Sequence, residues 1–138
     1  MGIVSIGMDL MQISRIETVL NARGQRFLDR IYTRAEQEYC ERRPKTRATH
    51  YAGRYAVKEA VMKVLGTGWA RGVRWVDIEV QRAPGQAPRV LLHGASASIA
   101  EQRGIQRIHI TITHDADIAA AVAVAEGGAS CGGVEGTP

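Results

Sequence analysis

Several features that mark large classes of protein are scarce or missing from this chain of 138 residues. Its two cysteines, Cys40 and Cys131, lie far apart and form neither a CxxC pair nor a disulfide framework, which fits a reducing compartment. Aromatic residues make up 5% of the chain, so platforms for stacking nucleic-acid bases are scarce. No apolar run approaches the ~18–20 residues of a membrane span. The opening Met1-Gly2-Ile3-Val4-Ser5 reaches Asp9 without the basic stretch of a secretory leader, so a cytoplasmic protein with no membrane attachment is expected. Residue 6 is Ile6, where myristoylation prefers Ser or Thr. Internal repeats are missing, and so is a Walker loop. The glycine-rich turn Gly66-Thr67-Gly68 follows a helical segment, whereas a P-loop precedes one.

What is present suits one soluble domain. A chain of this length buries roughly 65–70% of its unfolded surface and needs no disulfide or metal to fold. The formal charge of +4 and isoelectric point near 9.4 describe either a mildly basic protein or one with an anionic partner. A nucleotide, a nucleic acid and an acidic protein all qualify, and charge does not choose among them.

Periodicity predicts a strand over Ile3 to Leu10, with Val4, Ile6 and Met8 on one side and Ser5, Gly7 and Asp9 on the other. Ser14 and Glu17 have the spacing of a capping box for a helix to about Ala22, which Gly24 ends. Thr33 and Glu36 repeat that spacing for a second helix through Arg43, stopped by Pro44. The longest helical signal runs from about Arg47 to Leu65, with Val57, Ala60, Val61, Val64 and Leu65 as its apolar stripe and Gly66 at its end. Glu59 lies about 200° from Val57 around that helix, with Ala52, Ala56 and Lys63 as its neighbours. Strands are expected over Val76–Gln81 and Arg89–His93, around Pro84-Gly85-Gln86, and a short helix over 94–103. Ile108, Ile110 and Ile112 alternate with His109, Thr111 and Thr113 in a further strand. Asp115-Ala116-Asp117 turns into a last strand, Ile118 to Ala125, that is apolar on both sides. Residues 127–138 read as a flexible tail after a single domain over 1–126. The fold class is α+β: a mostly antiparallel sheet packed against a long helix.

Three elements can carry chemistry: Asp9, Glu59 with Lys63, and the His109-Thr111-Thr113 face. Each alone has a plainer explanation. Asp9 suits a turn or cap, Glu59 a solvated helix face paired with Lys58 or Lys63, and His109 a surface histidine. Gly66-Thr67-Gly68 is first of all a helix C-cap.

Together and in this order they resemble a family. Ile6-Gly7-Met8-Asp9-Leu10 with Arg15-Ile16, then Gly53 to Ala60 (GRYAVKEA) and Lys63 to Gly68 (KVLGTG), look like the signatures of the holo-acyl-carrier-protein synthases. Asp77 to Val80, Gly85 to Arg89 and His109 to His114 (HITITH), followed by the alanine-rich strand, match the same pattern. The resemblance covers about residues 3–126.

It implies a 4′-phosphopantetheinyl transferase of lipid biosynthesis. Such an enzyme moves the phosphopantetheine arm of coenzyme A to a serine of an acyl carrier protein, and is usually a homotrimer with active sites at subunit boundaries. By the same resemblance Asp9 and Glu59 match two Mg²⁺-binding carboxylates, a donor set that suits a cation completed by water and substrate phosphate. Lys63, Arg54 and the backbone of Gly66, Thr67 and Gly68 would meet the nucleotide and its phosphates, with Thr111 and His114 lining its pocket. His109 is the candidate to position or deprotonate the serine, and a metal-activated water is the alternative. Arg15 matches an arginine that meets the acidic carrier protein, whereas Arg23, Arg26 and Arg30 read as a solvated face. The competing readings are a basic α+β nucleic-acid-binding module, another Mg²⁺-dependent phosphotransferase and a non-catalytic trimeric scaffold.

Overall fold

A computed structural model describes residues 2–68 and 71–128. Strand β1 (Gly2–Gln12) leads into three helices, α1 (Ile13–Arg23), α2 (Gln25–Ile31) and α3 (Arg34–Glu41). A 3₁₀ turn at Pro44–Thr46 precedes the long helix α4 (Arg47–Leu65). A second such turn, Trp75–Asp77, opens the hairpin β2 (Ile78–Gln81) and β3 (Arg89–Leu92). Helix α5 (Gly94–Gln102), β4 (Ile105–Asp115) and β5 (Ile118–Gly127) follow. The main sheet is antiparallel with order β1-β5-β4, and β2-β3 forms a separate two-stranded sheet. The α+β architecture read from the sequence is the one observed.

Helix α4 lies across the main sheet, and small residues set how closely. Ala119, Ala121, Ala123 and Ala125 of β5 are buried against it, as are Ala52, Ala56 and Ala60 of the helix. A Cβ on Gly7 would stand 2.2 Å from the Ala60 carbonyl oxygen, so β1 touches helix backbone there. Ser5 Oγ donates to the Val64 carbonyl at 2.7 Å just beyond. These contacts bring the end of β1 alongside the middle of α4.

The fold departs from the sequence reading in four places. Ser14 does not cap α1: Gln12 holds that position without a side-chain bond. Instead the Asp117 carboxylate, arriving from the β4–β5 turn, accepts from the Ser14 amide at 3.0 Å and from its hydroxyl at 2.5 Å. A distant residue thus does what Ser14 and Glu17 were expected to do locally, and it suits the positive end of the helix. Helix α2 was not anticipated, because Gly24 reads as a stop. At φ 54° it ends α1, and the chain restarts at once as a helix that buries Leu28 and Ile31.

On β1, Ile6 and Met8 were grouped with Val4, yet Val4 packs on the core while they are 65% and 52% exposed. An irregularity between Ile3 and Ser5 separates them. Finally, β5 extends to Gly127, which pairs with Gly2 and Ile105, one residue into the segment read as tail. The rest of that tail from residue 129 lies outside the described residues. The Thr33–Glu36 capping box, by contrast, is formed as read.

Candidate active site

Asp9 faces α4, because it pairs with Ala121, which pairs in turn with Ile112, and these two pack on the core. Gly7, two residues earlier on that face, leaves no side chain between strand and helix. The Asp9 side chain is 18% exposed and meets Lys63 Nζ at 3.3 Å. The same ammonium donates to the Met8 carbonyl at 2.8 Å. One helical turn before Lys63, Glu59 is half-buried. Burial, then the charge of Asp9, push the Glu59 carboxyl above the usual carboxylate range, and Lys63 opposes them. Two like charges thus stand beside one ammonium at the edge of a low-dielectric contact. Among the described residues no three His, Cys, Asp or Glu side chains converge. The donor set here is therefore two carboxylates, too few for a closed zinc site. It fits Mg²⁺, which is commonly bound by one or two carboxylates plus substrate phosphates.

Tyr55 lies one turn before Glu59. Burial raises its hydroxyl above its ordinary range, Glu59 and Asp9 add to this, and Arg15 opposes it. Arg15 is thus close to the acidic pair, as expected. The Tyr55 ring stacks on Trp75 with centroids 4.8 Å apart. Both line a cavity of about 540 Å³ with Phe27, Arg23, Arg26 and Arg30. Those three arginines are exposed, as a solvated face requires, and they share this cavity as well. Their spacing across the α1–α2 junction is what hid the shared cavity, since Gly24 interrupts the helical period.

Lys58, adjacent to Glu59, is not its ion-pair partner. It is completely buried on another side of the helix, where it donates to Glu36 Oε1 at 2.9 Å and to the Trp75 and Ile78 carbonyls at 3.1 and 2.6 Å. Burial lowers its ammonium from the usual lysine range, and Glu36 counters this. Arg54 is also buried. Its guanidinium sits 4.0 Å from the Tyr39 ring centroid, and Nε has no hydrogen-bond partner among the described residues. A cavity of about 400 Å³ beside it is lined by Arg42, Arg54, Arg82 and Arg89, with Glu38 as its acidic residue. His114 belongs with this group rather than with His109. Burial, then the charges of Arg54, Arg43, His114 and Arg82, hold His50 below the ordinary imidazole range.

His109 and Thr111 lie on the opposite face of the sheet from Asp9. His109 pairs with Val124, and Val124 with Ile6; Thr111 pairs with Val122, and Val122 with Met8. Within one chain His109 therefore cannot serve the Asp9–Glu59 pair. Gly66, in the left-handed region at φ 77°, closes α4 with its amide on the Met62 carbonyl at 3.0 Å, and Thr67 and Gly68 follow. The six candidates Asp9, Glu59, Lys63, Gly66, Thr67 and Gly68 thus lie in or just after one helix–strand contact. Arg54 with His114, and His109 with Thr111, form two further groups.

Residues 5–123 match the family described as the 4′-phosphopantetheinyl transferase superfamily. The holo-[acyl-carrier-protein] synthase of Anaeromyxobacter dehalogenans (strain 2CP-C) is 44% identical over 128 residues, which cover 91% of this chain and 97% of that protein. Two solved structures share the fold. The holo-[acyl-carrier-protein] synthase of Neisseria meningitidis has a TM-score of 0.82 at 30% identity, covering 91% of this chain and 99% of the other. That of Helicobacter pylori, in complex with coenzyme A, has a TM-score of 0.77 at 31% identity, covering 88% and 100%. The chain therefore belongs to the 4′-phosphopantetheinyl transferase superfamily, among its holo-[acyl-carrier-protein] synthases.

Proposed function

We propose that this chain transfers the 4′-phosphopantetheine of coenzyme A to a serine of apo acyl carrier protein at the Asp9–Glu59 site, in the presence of Mg²⁺. The observation that carries the placement is the half-buried carboxylate pair beside Lys63, in a chain of this family. Asp9 and Glu59 hold the metal, and Lys63 steadies the substrate phosphates. A bound Mg²⁺ supplies neutralisation of pyrophosphate charge. The serine oxygen forms a bond to the phosphorus bearing the pantetheine arm, and the bond from that phosphorus to the bridging oxygen breaks. Adenosine 3′,5′-bisphosphate leaves with that oxygen, and the serine proton passes to an acceptor at the site. The turn Gly66-Thr67-Gly68 admits the nucleotide to close backbone approach. Arg54, buried with a free Nε and surrounded by arginines, suits a phosphate of the same nucleotide.

The assembly is a homotrimer in the cytoplasm, with each site shared between copies. Two observations support a site shared between copies. Ile6, Met8 and Leu10 expose 65%, 52% and 55% of their surface on one sheet face, an apolar strip of the kind that marks interaction surfaces. His109 and Thr111 share that strip, so a neighbouring copy seated there receives them. The acidic carrier protein docks where Arg15 and the cavity of Arg23, Arg26 and Arg30 flank the acidic pair.

Intact-mass measurement of an apo carrier protein incubated with the chain, coenzyme A and Mg²⁺ tests the reading. The expected gain is one phosphopantetheine, lost in Asp9→Ala and in Glu59→Ala. Full transfer by either variant at limiting Mg²⁺ would remove that residue from the site.

A further inference from the structure

His109 has a partner that the transfer reading leaves without a role. Its Nε2 lies 3.0 Å from Oε1 of Glu126, which projects from the central strand β5 next to it in the sheet. Glu126 also pairs with Arg107 of β4 and Ile3 of β1, so three strands fix where it stands. The bond from His109 holds its carboxyl below the ordinary range, and the His109 charge and Arg107 act in the same direction. An ionised carboxylate only accepts hydrogen bonds, so the nitrogen facing it must carry the proton. Nε2 is committed, and Nδ1 is the nitrogen left for chemistry. His109 also lines a cavity of about 600 Å³ with Arg89, Arg107, Gln106 and Pro88.

We propose that Glu126 is a positioning residue for the transfer: it holds His109 with Nε2–H on the carboxylate, so that Nδ1 is presented to the substrate. The arrangement is that of a base oriented by an acid behind it, with the carboxylate stabilising any imidazolium that forms. A neutral Nδ1 accepts a proton from a hydroxyl, and a protonated one donates to phosphate. Either use requires the same orientation. The inference rests on the reading that His109 serves the transfer site.

The test compares His109→Ala, Glu126→Ala, Glu126→Gln and the double alanine variant, each first shown to keep the wild-type mass in solution. Loss of a carboxylate behind a functional histidine should lower kcat roughly ten-fold or more, with KM for coenzyme A moving less. The double variant should be no slower than His109→Ala, because Glu126 acts only through that ring. Glu126→Gln keeps an acceptor for Nε2–H and should recover part of the kcat lost in Glu126→Ala, with KM for coenzyme A unchanged. Full activity in His109→Ala overturns the reading that His109 serves the transfer site, and this inference with it. An impaired His109→Ala with an additive double variant, or a Glu126→Ala with wild-type kcat, overturns the inference alone.

Discussion

Glu36→Ala tests whether Lys58, the lysine beside Glu59, belongs to the architecture or to the chemistry. Glu36 is buried, and each of its oxygens is used. Oε1 accepts from Lys58 Nζ at 2.9 Å and from the Thr33 amide at 2.8 Å, while Oε2 accepts from the Val80 amide at 2.7 Å. One side chain thus ties α3, α4 and β2 together. Its removal leaves a buried ammonium with only the Trp75 and Ile78 carbonyls, and breaking such a pair costs about 3–5 kcal/mol. An orphaned Val80 amide adds about 1–3 kcal/mol. The sum is a large part of the ~5–15 kcal/mol that holds a domain folded. Glu36→Ala should therefore populate unfolded chain, and Lys58→Met should fall by a similar amount. Lys58→Met with Glu36→Gln should recover part of the loss, with a coupling of roughly 0.5–3 kcal/mol. Urea unfolding followed by far-ultraviolet circular dichroism measures all of these. Transfer by Lys58→Met, normalised to folded protein, should match wild type, since the ammonium is sealed from Glu59's side of the helix. A Glu36→Ala protein within about 1 kcal/mol of wild type would refute the structural argument. So would a fully folded Lys58→Met that cannot transfer.

Glu59 supplies a pH test. Because its folded carboxyl is raised above 4.5, the native state binds more protons than the unfolded chain just above that pH, and metal-free stability falls as pH rises through the window. Mg²⁺ favours the carboxylate, so its stabilisation should grow as pH rises above the ordinary carboxylate range in thermal melts and vanish in Glu59→Gln. An equal shift in that variant would contradict metal binding there. Gly7→Ala drives a Cβ to 2.2 Å from the Ala60 carbonyl oxygen, and should lose roughly 1–3 kcal/mol or more in urea unfolding, together with Mg²⁺ response at Asp9. Arg15→Glu should raise KM for carrier protein strongly with little change for coenzyme A, and flatten the salt dependence of transfer. A parallel loss of coenzyme A affinity would place Arg15 on the nucleotide instead. Met8→Asp should reduce the light-scattering mass from three chains to one, and a monomeric wild type would contradict the assembly.

Much of this molecule is legible in one dimension because its signals are local. The span of α4 follows from apolar spacing and a left-handed glycine at its end, and the Thr33–Glu36 box from a four-residue pattern. The motif residues around Asp9 and Glu59 stand out in the same way, since their order along the chain marks the family. What the tertiary structure alone decided involves partners far apart in sequence. Asp117 caps α1 from across the chain, and Lys58 turns from its neighbour Glu59 to Glu36. Three arginines on two short helices line one cavity beside Tyr55. Strand register separates His109 from Asp9. Side chains alternate between faces, so pairing through Val124 and Ala121 sends the two residues to opposite sides of one sheet. Periodicity shows that a strand has two faces, but only packing against α4 determines which one is buried.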